Sequence, residues 1–392
     1  MCFGETRMKI GMLSHMFPTK RHPHSGIFVK ETVDRLVSHV DVEIIAPLPN
    51  FRWFGEERSG SDSRGYNVKR PFVLAFPRFF YQRLYPESMA AAIARYIDDG
   101  VHAWDVVHAH AAFPDGVAAV KAVRGRKPVV LTVHGSGINV FAHKPALRSS
   151  IRDALRRTDA IVCVSADLQR SIRELDVDTF TKVIPNGVNT DIFKPLQHDE
   201  ACNDTGLSPD RPRVIFIGNM VPIKGLPNLI EAMRSVVREI PDCELVMIGG
   251  APGRKTLHEY NCMIADAGIE RSVLMKTRLP HGELPRWICA SDVLALPSIR
   301  EGFGLVAAES LSCGRPVVAT RSGGPESIVG EGEGILVPVG DSEALAEALV
   351  SALHGGQFHS PEELSRSAGE RFSYDNVIRQ LLDLYSYVST GS

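Results

Sequence analysis

The sequence lacks the features of membrane-spanning, disulfide-bonded and zinc-binding proteins. No apolar run approaches the ~18 residues that a transmembrane helix needs, and no basic-then-apolar leader is apparent. The seven cysteines include no Cys-x-x-Cys pair, which argues against a zinc site or a disulfide framework. No Gly-x-Gly-x-x-Gly follows the first predicted strand, which disfavours a NAD-dependent enzyme. We therefore expect a globular protein of the reducing cytoplasm.

The composition is that of an ordinary globular protein, but its charge is unevenly distributed. The 392 residues are 44% hydrophobic and 23% charged, which favours two or three domains. Residues 1–187 carry 26 Lys+Arg against 19 Asp+Glu, a balance of +7, while residues 188–392 carry 18 against 27, a balance of −9. The two halves are thus expected to meet different partners.

Strand-like and helix-like segments alternate along both halves of the chain. Strands are predicted at residues 7–14, 41–46, 105–110, 128–133, 159–164, 213–217, 244–248, 272–276, 292–296, 316–320 and 334–337. Such alternation is typical of a parallel sheet with helices on both faces, so the predicted fold class is α/β with two doubly wound, Rossmann-like domains. A turn-forming stretch at 183–193 and an aperiodic polar stretch to Asp210 separate them. We predict domains at 1–187 and 188–370, followed by a terminal helix within 371–392.

The segment from Pro297 to Ser310 contains the first candidate site. It joins a buried strand to a helix, and Gly302 and Gly304 allow a ligand close to the helix N-terminus, where an anion is favoured. Glu309 lies about 7.5 Å along that helix and leans back toward its start, a reach that suits the hydroxyls of a ribose in a partly solvated site. A plain strand, turn and helix with surface glutamates at 301 and 309 is an equally open interpretation.

Three other loops follow predicted strands, and in parallel sheets ligands bind at those carboxyl ends. The loop from Gly218 to Gly225 is glycine-edged, and its Lys224 can neutralise a pyrophosphate, although a lysine there is more often solvated. His134 precedes a Gly-Ser-Gly loop, where a ligand-binding and a structural role are both open. Gly26 opens the helix after the first strand.

These motifs together resemble the family-4 retaining glycosyltransferases of the GT-B fold, in which two such domains face across a cleft. The resemblance covers essentially the whole chain and rests on four segments: residues 216–225, 301–309, 322–324 and 184–188. It implies that the second domain holds the sugar nucleotide, that the first presents the acceptor, and that the terminal helix returns to the first domain.

The resemblance also assigns roles to the candidate residues. Lys224 and Asn219 would bind the diphosphate, Glu309 the ribose, and His134 the sugar from the other side of the cleft. Glu301 would contact the donor sugar together with the backbone of the following helix start. His134, Lys224 and Glu301 are the predicted catalytic residues. The predicted substrate-binding residues are Gly26, Asn219, Phe303, Gly304, Leu305 and Glu309.

Two positions depart from the family pattern. Asn219 stands where the family usually has an arginine, so either Asn219 donates a neutral hydrogen bond or an arginine from elsewhere, such as Arg300, replaces the missing cation. Gly137 stands where many members have an acid, whose role therefore does not carry over.

The expected chemistry needs neither a metal nor a cofactor. Negative charge builds on the departing diphosphate, which Lys224 and the helix start stabilise. With no certain carboxylate nucleophile, front-face attack assisted by the leaving phosphate is favoured. The donor would be a UDP- or GDP-sugar, and no nucleic-acid partner is expected. A UDP-sugar epimerase or hydrolase and a glycogen-synthase-like polymerase are the alternative functions.

Residues 69–85 interrupt the alternation with four basic residues, no acidic residue and several aromatic rings. One interpretation is an insertion whose rings pack on the first domain. The other is a peripheral contact with anionic lipid on the cytoplasmic membrane face, which agrees with the +7 balance and would make the acceptor a lipid-linked saccharide.

Overall fold

A computed structural model describes residues 7–23, 25–50, 59–61, 65–75, 79–98 and 104–391, and of residues 59–61, 79–83 and 98 it describes the backbone alone. The chain divides into two compact units. Unit 1 comprises the described residues as far as Gly187 together with those from Tyr374 onward, and unit 2 comprises Val188–Ser373. Each unit has its own sheet and its own hydrophobic core.

The sheet of unit 1 has eight strands in the order β10-β9-β8-β7-β1-β2-β5-β4, all parallel except β4. Two further short strands, β3 and β6, pair in parallel. The strands are β1 (Lys9–Leu13), β2 (Asp41–Ile45), β3 (Leu48–Pro49), β4 (Ser59–Ser61), β5 (Asn67–Lys69), β6 (Phe72–Val73), β7 (Val106–His110), β8 (Val129–Val133), β9 (Ala160–Cys163) and β10 (Thr181–Val183). Strands β7, β8 and β9 are buried along their whole length, as expected for central parallel strands covered on both faces.

The helices of unit 1 follow its strands. They are α1 (Ile27–Leu36), α2 (Phe79–Asp98), α3 (Val117–Val123), α4 (Pro145–Arg156) and α5 (Ala166–Arg173). The Ser165 side chain caps α5 by accepting from the Leu168 amide, which satisfies one of the free N–H groups at the helix start.

The sheet of unit 2 has six parallel strands in the order β13-β12-β11-β14-β15-β16. The strands are β11 (Arg213–Ile217), β12 (Glu244–Ile248), β13 (Val273–Lys276), β14 (Val293–Leu296), β15 (Val317–Thr320) and β16 (Gly334–Val337). The helices are α6 (His198–Thr205), α7 (Leu226–Glu239), α8 (Arg254–Ala267), α9 (Leu284–Cys289), α10 (Leu305–Ser312), α11 (Ser342–Leu353) and α12 (Pro361–Phe372). The predicted fold class, two parallel-sheet α/β domains, is confirmed.

The terminal helix α13 (Tyr374–Ser389) belongs to unit 1 and is held by polar as well as apolar contacts. The Tyr374 hydroxyl donates to Glu31 Oε2 at 2.9 Å, and a Cβ at Gly187 would lie 2.4 Å from the Tyr374 ring. Further along, Tyr385 is fully buried and its hydroxyl lies 2.6 Å from His108 Nδ1. The helix therefore reaches the buried polar groups beneath the predicted His134 site.

Several element predictions were wrong where the hydrophobic period is weak. Helix α2 begins at Phe79 rather than near residue 87 and continues through Pro86. The polar stretch before Asp210 contains α6, of which only Ala201 and Cys202 are buried. Strand β10 and helix α12 were also missed, and α12 begins with a capping box formed by Ser360 and Glu363.

Across the part of the chain described here, none of the helices combines the length with the apolar character that spanning a bilayer requires. Within the 69–85 segment, Phe72 and Leu74 are exposed, whereas Tyr85 is buried. Arg70 donates to the Pro18 carbonyl at 2.6 Å. Phe76, Pro77, Arg78 and the side chains of residues 79–83 lie outside the described residues.

Candidate functional site

Four loops of unit 2 lie at one edge of its sheet. They follow the carboxyl ends of β11, β12, β13 and β14, which are neighbours in the parallel sheet. They comprise residues 218–225, 249–253, 277–283 and 297–304. This edge is where parallel sheets bind ligands, and two of the loops are the candidates chosen from the sequence.

Close backbone contacts hold the first and last of these loops together. A Cβ at Gly225 would lie 1.9 Å from the Pro297 carbonyl oxygen, so only glycine fits there, and Gly225 also has a left-handed φ of 67°. The Ile299 amide donates to the Ile223 carbonyl at 2.8 Å. Lys224 is thereby fixed opposite the turn that carries Glu301.

Lys224 and Glu301 form an ion pair, with 2.5 Å between Nζ and Oε2. The Ser298 hydroxyl donates to the same carboxylate oxygen at 3.1 Å. The backbone of Glu301 is held on both sides, since its N–H donates to the Ser322 carbonyl and its carbonyl accepts from the Gly324 amide. The side chains of Lys224 and Glu301 are 25% and 15% exposed, so a ligand can still reach the pair.

Helix α10 begins beside this pair. Gly304 is its N-cap, with a left-handed φ of 95°, and Leu305 is its first residue. No side chain among the described residues caps this end, so the first amides of the helix are available to an anion. A Cβ at Gly324 would lie 2.3 Å from the Phe303 carbonyl oxygen, so the glycine turn after β15 packs directly against this start.

Glu309 lies within α10 and is only 4% exposed. Its Oε1 is 2.7 Å from His281 Nε2, and the His281 ring packs on Phe193 with 4.9 Å between centroids. The expectation of a partly solvated carboxylate was therefore wrong, because the loop after β13 covers it. The assignment of Glu309 to a ribose stays a prediction, with Oε2 as the oxygen that His281 does not engage.

Asn219 contacts an arginine that is not among the predicted site residues. The Nη2 group of Arg278, in the loop after β13, donates a short hydrogen bond to Asn219 Oδ1. This contact joins positions 59 residues apart in the chain, so no local pattern could have indicated it. The same loop supplies His281, and both residues are therefore additions to the candidate site.

The two candidate loops of unit 1 also lie side by side. Gly26 is the N-cap of α1 with φ of 59°, and a Cβ there would lie 2.3 Å from the Met16 carbonyl oxygen. The Phe28 ring of α1 packs on the His134 ring with 4.6 Å between centroids. The start of α1 and the end of β8 thus meet at the carboxyl edge of this sheet.

His134 is the outermost member of a stack of three histidines. The rings of His108 and His110 are 4.4 Å apart and those of His110 and His134 are 5.5 Å apart. His110 Nε2 lies 2.8 Å from Met12 Sδ, and its Nδ1 lies 3.2 Å from His134 Nε2. The stack continues inward from His108 to Tyr385 and to Thr132 Oγ1.

The contact with Met12 determines where the protons lie. A thioether sulfur accepts but cannot donate, so the hydrogen between Met12 and His110 is carried by Nε2 of His110. The neutral His110 ring then accepts at Nδ1, which makes Nε2 of His134 the donor and leaves its Nδ1 as an acceptor. That Nδ1 is buried and has no hydrogen-bond partner of good geometry among the described residues. The Asn186 side chain lies close enough to His134 to raise its pKa by hydrogen bonding, which partly offsets the larger lowering by burial.

Burial keeps these rings neutral. It lowers the pKa of His134 to about 4 and that of His108 to about 3, and it holds the pKa of His110 well below its usual value. His134 is therefore suited to hydrogen bonding with a hydroxyl near neutral pH rather than to proton transfer.

These lowered pKa values predict acid destabilisation of the fold. In the unfolded chain these histidines bind protons as the pH falls below about 6.5, whereas in the folded protein the buried rings stay neutral. The free energy of unfolding should therefore fall as the pH drops from 6.5 toward 4. Each ring contributes a slope of up to about 1.4 kcal/mol per pH unit. Urea unfolding at pH 7, 6 and 5 measures this slope. His110→Phe should reduce the slope and His354→Gln, at an exposed position of unit 2, should not; equal stability at all three pH values would contradict the prediction.

A second buried pair in unit 1 was missed. Asp115 is fully buried, and its carboxylate accepts from the His15 amide at 3.1 Å and lies 2.8 Å from His15 Nδ1. Burial raises the pKa of Asp115, and the adjacent His15 opposes that rise. The pair spans 100 residues and fixes the His15 ring at the same edge as Gly26.

Comparison with known sequences identifies the family. Residues 25–192 match the description "Glycosyltransferase Family 4" and residues 198–371 match "Glycosyl transferases group 1". A GDP-mannose-dependent alpha-(1-6)-phosphatidylinositol monomannoside mannosyltransferase from Mycolicibacterium smegmatis is 30% identical over 355 residues, which are 86% of this chain and 87% of the relative. The chain belongs to the family-4 glycosyltransferases.

Other known proteins resemble this glycosyltransferase in sequence or in fold. A D-inositol 3-phosphate glycosyltransferase from Xylanimonas cellulosilytica is 31% identical over 303 residues, 72% of each chain. The Anabaena protein HepE, solved in complex with UDP-glucose, superposes with a TM-score of 0.76 at 20% identity and covers 97% of this chain and 100% of its own. The predicted GT-B fold is confirmed.

The chain contains one Asp-x-Asp triplet, a pair of carboxylates that can hold a divalent ion. It is Asp176-Val177-Asp178, between α5 and β10. Asp176 pairs there with Arg152 at 3.0 Å, and the triplet precedes its strand, away from the carboxyl edge. Among the described residues, no three His, Cys, Asp or Glu side chains are grouped so as to hold a metal ion.

Proposed function

We propose that this glycosyltransferase transfers a sugar, with retention of anomeric configuration, from a nucleoside diphosphate sugar to a saccharide or lipid-linked acceptor. The observation that carries the proposal is the meeting of Lys224, Glu301 and the uncapped start of α10 at one edge of the unit 2 sheet. A diphosphate needs cations and N–H donors, and a sugar needs a carboxylate for its hydroxyls. Relatives that use GDP-mannose or bind UDP-glucose support the choice of donor.

The proposed reaction exchanges one bond at the anomeric carbon for another on the same face. The bond from that carbon to the diphosphate oxygen breaks, and the bond to the acceptor oxygen forms. The acceptor proton passes to the leaving phosphate oxygen. Lys224 and the first amides of α10 stabilise the charge that builds on the diphosphate, so Lys224 must turn from Glu301 toward the phosphate and free Glu301 for the sugar.

We propose that no metal takes part. The ammonium of Lys224 and the α10 amides provide positive charge that a divalent ion would otherwise supply. The roles of Glu309 at the ribose, of the backbone of Phe303, Gly304 and Leu305 at the sugar, and of Gly26 and His134 in unit 1 are part of the same proposal.

A donor screen tests the nucleotide part of the proposal. A ligand that binds only the folded state raises the melting temperature, by an amount that grows with its concentration over Kd. We expect a UDP- or GDP-sugar to raise the melting temperature and the matching free sugar to leave it unchanged. A nicotinamide dinucleotide that stabilised the protein while no sugar nucleotide did would contradict the proposal.

We also propose that residues 69–85 make a peripheral contact with anionic lipid, in which case the acceptor is lipid-linked. The exposed Phe72 and Leu74 support it, whereas the buried Tyr85 packs inside unit 1. One relative acts on a phosphatidylinositol mannoside and another on an inositol phosphate, so acceptors with and without a lipid occur among its relatives.

Vesicle sedimentation tests this contact. The wild type should pellet with anionic but not with neutral vesicles, less so at high salt. Arg78→Glu with Arg83→Glu should release it, while Arg254→Glu with Lys255→Glu, at exposed positions of unit 2, should not. Equal binding to both kinds of vesicle, or to neither, would leave an acceptor without a lipid as the better proposal.

A further inference from the structure

The loop at residues 277–283 contacts both parts of the proposed nucleotide site. At its start, Arg278 donates to Asn219 in the loop after β11. At its other end, His281 lies 2.7 Å from Glu309 in α10. The loop therefore connects the proposed diphosphate position with the proposed ribose position, although nothing in its sequence suggests a ligand site.

Arg278 adds a positive charge to this edge of the sheet. Lys224 is balanced by Glu301 at 2.5 Å, so this pair contributes no net charge to attract a diphosphate. The partner of Arg278 is the neutral amide of Asn219, and no carboxylate of the described chain lies within 4.0 Å of its guanidinium. Arg278 is thus a cation whose charge is not neutralised at the place where the proposed ligand carries its negative charge.

We infer that Arg278 binds the diphosphate of the donor together with Lys224, and that Asn219 positions its guanidinium. This inference rests on the proposed function and adds to it a residue from a third loop. A guanidinium has five N–H donors in a fixed plane, so the bond to Asn219 leaves the others for phosphate oxygens. Two of its N–H groups can donate to two phosphate oxygens in parallel, a planar geometry that the ammonium of a lysine lacks.

The neighbouring glycines leave room for this arrangement. A Cβ at Gly249 would lie 1.8 Å from the Gly218 carbonyl oxygen, so the loops after β11 and β12 touch through their backbones. A Cβ at Gly250 would lie 3.7 Å from Arg278 Nη2. Asn219 therefore stands at a fixed position, and a longer side chain at 250 would occupy the space beside the guanidinium.

The competing explanation is that Arg278 only links two exposed loops. The two explanations differ in what they predict for ligands with and without phosphates. A structural link would affect stability, or the affinity for every ligand alike. A phosphate-binding arginine affects ligands according to their charge, because a nucleoside offers its guanidinium nothing to bind.

Calorimetry with four probes tests the inference: UDP, GDP, uridine and guanosine. We expect Arg278→Gln to raise the Kd of the diphosphate that the wild type binds by about 10-fold or more, as for loss of a charge-assisted hydrogen bond. The Kd of the nucleoside should not change, and the salt dependence of diphosphate binding should weaken. Arg278→Lys should recover part of the affinity. Asn219→Ala, which keeps the charge but removes the positioning contact, should have a smaller effect.

Arg271→Gln is the matched control, since it removes an exposed arginine just before β13, at the opposite end of that strand. It should leave the Kd of every probe unchanged. An Arg278→Gln variant that binds the diphosphate as tightly as the wild type would overturn this inference alone. A wild type that binds neither UDP nor GDP would overturn the proposed function and the inference with it.

Discussion

Replacing Lys224 by methionine is expected to lower turnover by a factor of about 10²–10³ while changing stability much less. Charge develops on the diphosphate in the transition state, and fixed cations at such positions contribute on this scale. The folded protein loses an ion pair whose members remain partly exposed, so the free energy of unfolding should fall by only about 1 kcal/mol. Steady-state kinetics with the native donor and urea unfolding of the same preparation measure the two effects.

The double variant Lys224→Met with Glu301→Gln separates the effect of Lys224 on turnover from its effect on stability. It removes both charges of the pair, so it should regain the lost stability without regaining turnover. Lys255→Met is the matched control, because that lysine side chain is 92% exposed on the same unit. Turnover by Lys224→Met within threefold of the wild type would show that Lys224 does not stabilise the leaving group.

Replacing Glu309 by alanine is expected to weaken binding of UDP or GDP by about 10- to 100-fold, the usual effect of removing a charged hydrogen-bonding partner. Because Glu309 is buried against His281, this variant should also lose roughly 1–3 kcal/mol of stability. Glu309→Gln keeps an oxygen for His281 and the shape of the side chain. It should therefore retain most of the stability while still binding nucleotide more weakly, as calorimetry would show.

Inorganic pyrophosphate distinguishes a ribose contact from a general disturbance of the site. Its affinity should fall in Lys224→Met and stay unchanged in Glu309→Gln, because it has no ribose. Glu343→Ala, at an exposed position in the first turn of α11, should change none of these affinities. If Glu309→Gln and the wild type bind the nucleotide with equal affinity, Glu309 does not bind the ribose.

The sequence was sufficient to predict the fold and that the loops carrying Lys224 and Glu301 follow strands of one sheet. Both follow from local pattern, since alternating strands and helices specify a parallel sheet whose carboxyl ends share one edge. The ion pair between Lys224 and Glu301 was not predicted. Glycines with left-handed backbone, such as Gly225 and Gly304, then mark the turns at that edge.

The residues that the sequence analysis missed are those placed by contacts between distant segments. Arg278 meets Asn219 and Asp115 meets His15 across 59 and 100 positions, and neither pair has a spacing that a motif could express. The burial of Glu309 depends on the loop that carries His281, whose path no propensity determines. Helix α6 was missed for a related reason: its polar sequence gives no helical period, and packing rather than pattern stabilises it.

Acceptor-dependent release of nucleoside diphosphate tests the central claim most directly. The protein is incubated with a donor that stabilises it, with EDTA, and with or without saccharide and lipid-linked acceptors, and NMR gives the anomeric configuration of the product. The account predicts release only when an acceptor is present, and a product with the configuration of the donor. Release or isomerisation of the sugar without an acceptor, or a product of inverted configuration, would contradict it.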